Sequence, residues 1–203
     1  TVKNLALAWI AHVQGGSRGA AGPVIVAGEG PDSTLTAANP TRVGGTILAI
    51  NGILYFTTPN NVWAMDARDG RELWHFFWKH RGGTLIGNRG VGMYGNWLFF
   101  ETPDDFLVSL DARTGKERWH KPIADFREQY FSTMAPVVIG NHILVGTGNN
   151  LDSPAFLQSF DPETGKLQWE SFMNPMKAGD PCLDTGPSVD AARSARTSST
   201  REN

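Results

Sequence analysis

The chain has 203 residues, 40 % of them hydrophobic, with 18 basic and 20 acidic side chains and a formal net charge of −2. That supplies a core for one large domain or two small ones, and the near-balanced charge, with no dense basic tract, argues against nucleic-acid or anionic-membrane partners. No run approaches the ~18 apolar residues that cross a bilayer, and the single cysteine, Cys182, excludes an internal disulfide and leaves the redox compartment open.

The chain begins Thr1-Val-Lys-Asn-Leu-Ala-Leu-Ala-Trp9 without an initiator methionine and reads as an interior stretch or a processed protein. Leu5 to Val13 is apolar but lacks the basic flank and small-residue cleavage site of a secretion signal, so a strand is expected there. Gln14 to Arg42, rich in Gly, Ala, Pro and Thr and without a sustained period, predicts a long loop with short strands.

From residue 51 the chain repeats itself. Asn51-Gly-Ile-Leu-Tyr-Phe-Thr-Thr-Pro59 returns as Gly95-Asn-Trp-Leu-Phe-Phe-Glu-Thr-Pro103 and, more loosely, as Gly140-Asn-His-Ile-Leu-Val-Gly-Thr-Gly148. Each copy is followed by an eleven-residue pattern. The three read Ala64-Met-Asp-Ala-Arg-Asp-Gly-Arg-Glu-Leu-Trp74, Ser109-Leu-Asp-Ala-Arg-Thr-Gly-Lys-Glu-Arg-Trp119 and Ser159-Phe-Asp-Pro-Glu-Thr-Gly-Lys-Leu-Gln-Trp169. The tryptophans are 45 and 50 residues apart, the size of a four-stranded propeller blade. Within each unit the pattern predicts a strand, an Asn/Gly turn, a strand, a short loop, a strand ending at the repeat Asp, a Thr-Gly turn and a strand starting near Trp. The third unit's extra length falls in Leu151-Asp-Ser-Pro-Ala155, a loop on one face of the propeller, where function is usually placed. The tail after Asp184 carries no large apolar residue from Ala191 to Asn203 and is expected to be disordered or a weak appendage. The expected organisation is an all-β partial propeller of three to four blades over residues 1–184, with a tail at 185–203.

The repeated Asp, Thr and Gly suit a structural role. A side-chain oxygen satisfies turn N–H groups, Gly supplies positive φ, and the Trp buries a large face while its N–H reaches a neighbouring blade. Asp66, Asp111 and Asp161 recur in every unit, whereas an active site needs asymmetry. His12, His75, His80, His120 and His142 show no metal-ligand spacing, and no nucleophile elbow, P-loop, Cys-x-x-Cys or His-Glu-x-x-His occurs. Asp104-Asp105 stands where Asn60-Asn61 stands in the previous unit and reads as a turn.

Three places break the repeat. Arg89, in Gly87-Asn-Arg-Gly-Val-Gly92, lies at the start of an inner strand, where it either grips an anionic ligand bidentately or pairs with a neighbouring blade. Thr133 holds the corresponding place in the next unit. Asp152, with Asn149, Asn150 and Ser153, offers oxygen ligands for a hard cation such as Ca²⁺ or else caps a turn.

These residues bring a family into view. The chain resembles the amino-terminal part of the bacterial pyrroloquinoline-quinone (PQQ) dependent alcohol dehydrogenases, from Val2-Lys-Asn-Leu-Ala-Leu-Ala-Trp9 to Gly179-Asp-Pro181, through the Asp-x-x-Thr-Gly-x-x-x-Trp repeat and Asn88-Arg-Gly-Val91. The resemblance implies blades of an eight-bladed, PQQ- and Ca²⁺-binding propeller in the periplasm or outside the cell. It implies PQQ contacts at Arg89 and Thr133, a bordering loop at Gly148 and Asn149, and a metal ligand at Asp152. The chain departs from the family at Gly83-Thr84, where many members carry adjacent cysteines, and near Gly44, where a glutamate contacts PQQ. The family's cofactor-floor Trp, calcium Asn and catalytic Asp belong to later blades, so no catalytic residue is assigned. Three functions remain open: a quinoprotein dehydrogenase with weak or no activity in this chain alone, a non-catalytic propeller module that forms homodimers through open blade edges, or a Ca²⁺-dependent esterase or lactonase acting through Asp152.

Overall fold

The computed structural model describes residues 6–13, 43–83, 87–148 and 155–173. Among the described residues twelve strands form three antiparallel four-stranded sheets, each a meander in chain order. The first sheet holds β1 (Leu48–Ile50), β2 (Ile53–Thr58), β3 (Asn61–Asp66) and β4 (Glu72–Phe77). The second holds β5 (Gly92–Tyr94), β6 (Trp97–Glu101), β7 (Phe106–Asp111) and β8 (Glu117–Pro122), and the third β9 (Val137–Ile139), β10 (His142–Thr147), β11 (Phe156–Phe160) and β12 (Leu167–Phe172). These are propeller blades, and they do not close into a ring.

The strand plan follows the expected one, with the outermost strands starting two residues ahead of Trp74, Trp119 and Trp169. Asn51 and Gly52 both take positive φ, 51° and 77°, as a tight hairpin turn of matching twist requires. Each third strand carries an irregularity at the same place, between Ala64 and Met65, Ser109 and Leu110, and Ser159 and Phe160. Of the strand expected at Leu5 to Val13, residues 6–13 join no sheet among the described residues; Ala11 and Val13 instead pack on Phe56, Trp63 and Met65. The long loop expected at 14–42 and the tail from 185 lie outside the described residues.

Alternation sorts the middle blade's side chains onto two faces. Leu98, Phe100, Val108 and Leu110 pack with Tyr55, Val62 and Ala64 of the first blade. Phe99 and Leu107 pack with Ile143, Val145, Phe156 and Phe160 of the third. Burial on both faces explains why Trp97-Leu-Phe-Phe is a continuous apolar run rather than an alternating one.

The repeat motif builds the joint between blades. Asp111 Oδ1 accepts from the Arg113 and Thr114 N–H groups at 3.0 and 2.9 Å and from the Thr114 hydroxyl at 2.9 Å. Asp161 does the same for Glu163 and Thr164, whereas Asp66 uses Arg68 as its side-chain partner. Gly70, Gly115 and Gly165 follow at φ of 72°, 68° and 67°. The preceding blade's indole lies on that glycine. Trp74 Nε1 donates to Ala112 O at 2.9 Å and Trp119 Nε1 to Glu163 O at 3.2 Å. Trp9 donates to Ala67 O at 3.1 Å in the same manner, so it acts as a fourth member of the series. Trp169, on the fully exposed β12, has no such seat among the described residues.

A Cβ at Gly115 would stand 2.6 Å from the Trp74 ring. Gly115→Ala therefore combines a left-handed backbone with a displaced indole. It is expected to cost about 1–3 kcal/mol in urea unfolding, while Gly95→Ala, with the same kind of φ but open space around it, is expected to cost less. Equal losses for the two variants would count against the indole seat.

Candidate functional site

The segments leading into the inner strands lie side by side. Thr46 N–H donates to Arg89 O at 2.9 Å, and Arg89 N–H donates to Thr133 O at 2.9 Å, so three successive blades are tied in a row. Such closeness needs glycine: a Cβ on Gly90, at φ 128°, would stand 2.8 Å from Thr46 O. Arg89 is therefore three residues ahead of β5 rather than at its start, with its side chain exposed. Its Nη1 donates to the Thr133 hydroxyl at 2.8 Å. That bond spans two blades but is not the salt bridge considered from sequence.

Two different devices hold Arg89 and Thr133. Before Arg89, the buried Asn88 closes its own loop: Oδ1 accepts from Gly90 N–H at 2.9 Å and from the Thr57 hydroxyl at 2.7 Å, and Nδ2 donates to Glu101 O at 2.7 Å. Immediately before Thr133 stands Ser132, too short for that span. Glu101 reaches across from β6 instead, and its Oε2 accepts from Met134 N–H at 3.1 Å. Aligned copies of the repeat carry Thr57, Glu101 and Gly146 at this position.

This second device is acidic and buried. Glu101, Asp104, Asp105 and Ser132 are all buried. Asp104 is fully engaged, accepting from Trp78 Nε1 at 2.7 Å, the Thr102 hydroxyl at 2.8 Å and Arg81 N–H at 3.0 Å. Glu101 Oε1, both Asp105 carboxylate oxygens and Ser132 Oγ have no hydrogen bond of good geometry among the described residues. Burial pushes the Glu101 carboxyl well above its ordinary value, with Asp105 adding to the rise and the Met134 N–H and Arg89 opposing it. Burial likewise pushes Asp105 up to about 6, against the influence of Ser132 close by and with that of Asp104.

Arg89, Thr133 and Gly148 line one open cleft of about 410 Å³, together with Met134, Thr147 and Phe156. The cleft thus gathers three of the four cofactor-binding residues expected from sequence. Asn149 and the metal-ligand candidate Asp152 lie outside the described residues. No cluster of three acidic, His or Cys side chains suited to a metal occurs among the described residues. Gly44 faces open space, whereas a Cβ on Gly83 would fall 1.7 Å from Pro103 O; this backbone has no room for a cysteine at 83. Asp104-Asp105 forms the expected turn, with Asp105 N–H donating to Thr102 O at 3.1 Å. His75, His80, His120 and His142 are engaged by protein groups. In the sequence Asn88 stands out only as part of its Asn-Arg-Gly motif, and Glu101 and Ser132 carry no motif of their own. Comparing the three copies residue by residue at Thr57, Glu101 and Gly146 would have exposed Glu101.

The described residues thus form propeller blades with indole-on-glycine joints and an Arg–Thr cleft near the inner-strand ends. Sequence comparison agrees: the profile of the PQQ glucose/ethanol/alcohol dehydrogenase beta-propeller domain matches residues 1–198. The chain belongs to this family. The quinoprotein alcohol dehydrogenase PedH of Pseudomonas putida is 36 % identical over 125 residues, which is 59 % of this chain and 21 % of that protein. The quinohemoprotein alcohol dehydrogenase ADH IIB of Pseudomonas putida is 33 % identical over 153 residues, covering 71 % of this chain and 22 % of its own length. Among solved structures, the quinohemoprotein alcohol dehydrogenase ADHIIG of Pseudomonas putida HK5 superposes with a TM-score of 0.61 at 29 % identity, over 66 % of this chain and 21 % of that one. That of Comamonas testosteroni gives 0.59 at 29 % identity, over 65 % and 21 %. The chain spans about a fifth of the length of these relatives. No helix among the described residues is long and apolar enough to cross a membrane.

The acidic pocket makes stability pH-dependent. Asp105 titrates near 3.8 when unfolded and about 6 when folded, so the folded state binds this proton more tightly. Its favourable contribution is complete below the unfolded value and is lost as pH rises through the folded one. Asp105→Asn, which tolerates the φ of 59°, is expected to gain on the order of 1–3 kcal/mol over the parent at pH 8 and to flatten part of the decline between pH 4 and 7. Urea unfolding at a series of pH values measures both, and parallel pH curves would exclude the assignment.

Proposed function

We propose that the cleft at Arg89 and Thr133 is part of a PQQ site, and that the chain contributes blades to an alcohol-oxidising quinoprotein. The observation that carries this reading is the exposed guanidinium bonded to the Thr133 hydroxyl at 2.8 Å on the wall of a cleft of about 410 Å³. PQQ is a polycarboxylate quinone, and a fixed cation with a neighbouring hydroxyl suits its carboxylates. Bound PQQ supplies a quinone that accepts hydride from an alcohol carbon. The residues of this chain grip and orient it, with Gly148 and Asn149 bordering the site and Asp152 offering a carboxylate to Ca²⁺. No general base is assigned within the chain, so its dehydrogenase activity alone is weak or absent. A periplasmic or secreted location accompanies this reading.

One observation favours a second reading, an assembly module. Trp169 is 40 % exposed, and Leu167 and Phe172 beside it are exposed too, although Trp74 and Trp119 are seated on following blades. A further blade or a second copy of the chain covers this face.

Thermal-shift titrations with PQQ and Ca²⁺, separately and together, separate the readings. Stabilisation by PQQ, increased by Ca²⁺, is expected. Arg89→Ala is expected to weaken PQQ binding about 10- to 100-fold, the range for losing a charge-assisted hydrogen bond. Absence of PQQ stabilisation, with a dimer in light scattering, would favour the assembly module.

A further inference from the structure

We propose that Glu101 is a positioning residue of this cleft: its carboxyl caps the Thr133 loop from the preceding blade and sets the charge beneath Arg89, so that its proton governs how strongly the cleft holds an anion. The proposal rests on the reading of the cleft as an anion-binding PQQ site.

Two different devices close the loops ahead of β5 and β9. The amide of Asn88 caps Gly90 N–H within one loop, and Thr57 supports it from the blade before. In the next blade the N–H that follows Thr133 is that of Met134. With Ser132 in place of an asparagine, the cap comes from Glu101 on the preceding blade. The cap on this loop is thus an ionisable oxygen, where the Asn88 loop uses a neutral amide oxygen. Thr133, the residue that bonds the Arg89 side chain, is the residue just before the capped N–H. The cap therefore decides where that hydroxyl stands.

The exchange also changes the electrostatics. Glu101 is 1 % exposed and its Oε1 has no partner among the described residues, so ionising it costs desolvation free energy that a single N–H bond does not offset. Among the described residues the charged groups acting on it are Asp105 and Arg89. Asp105 lies on the adjoining turn, and Asp104 beside it is held by Trp78, Thr102 and Arg81. Asp125 stands further out, paired with Arg127. The cation acting on Glu101 is Arg89, from the loop ahead of β5. While Glu101 holds its proton, the charge of Arg89 is free to act on the cleft. Once Glu101 ionises, it offsets part of that charge, and an anion in the cleft is held less tightly. Because burial raises the carboxyl above its ordinary value, this change falls at higher pH than for a surface glutamate.

The test compares the full chain with Glu101→Gln, Glu101→Leu and Arg89→Ala, each first checked for folding by its thermal transition. PQQ affinity is measured from acidic to mildly alkaline pH, with citrate as a second anionic probe. Gln keeps an oxygen for the Met134 N–H and removes the titration. Its affinity relative to the parent is expected to rise about three- to tenfold across the range, an effect of one partly screened charge; the ratio of the two cancels the probe's own titration. Leu removes the cap as well, so amide exchange at Met134 is expected to speed up in Leu but not in Gln. A Gln-to-parent ratio that stays flat with pH, or Met134 exchange equal in Gln and Leu, would overturn the proposal. If Arg89→Ala leaves PQQ affinity unchanged, the PQQ reading fails. In that case Glu101 is still judged by the citrate ratio and by Met134 exchange.

Discussion

Each joint between blades depends on one contact, an indole lying on a glycine that can hold positive φ. The Asp-x-x-Thr-Gly turn presents that glycine without a side chain, and the Trp of the previous blade covers it while donating to a carbonyl two or three residues earlier in the turn. The contact is specific because two requirements coincide. The turn demands a left-handed residue at this point, and the indole demands that the residue have no Cβ. The apolar faces of the blades then meet in a fixed orientation, and the continuous apolar strands of the middle blade are covered on both sides.

The fixed orientation brings the inner-strand ends of successive blades together. There the backbone links Thr46 to Arg89 and Arg89 to Thr133, residues far apart in the chain. The two loops lead into the inner strands of adjacent blades but are closed by different means. Asn88 closes the first with a neutral amide; Glu101 closes the second with a carboxyl whose partners do not satisfy it. Scaffold positions repeat because every joint has the same problem. Glu101 and Ser132 break the repeat next to the cleft, where buried, incompletely paired polar groups reduce stability and a functional site is the usual reason to keep them.

Much of the fold was legible from the sequence because blade construction is local. The Asn-Gly and Thr-Gly turns, the apolar runs and the spacing of Trp74, Trp119 and Trp169 specify hairpins within a few residues of one another. Leu5 to Val13 shows the limit of that reasoning. Its pattern suits a strand, but residues 6–13 join no sheet among the described residues, and Trp9 is held through its side chain. Of the candidate site, Arg89, Thr133 and Gly148 were visible because they depart from the repeat or match a family motif. Glu101 was not, because it ends an apolar run and looks like the first polar residue of a loop.

The sequence alone determined the blade, its turns and the family, since these follow from short-range pattern and from the residues a left-handed turn accepts. Only the tertiary structure decided which residues become neighbours across blades: that Trp9 joins the series of seated indoles, that Arg89 meets Thr133, and that the carboxyl of Glu101 reaches Met134. The physical reason is that these contacts depend on the angle between blades, which the indole-on-glycine joints set and no single segment encodes.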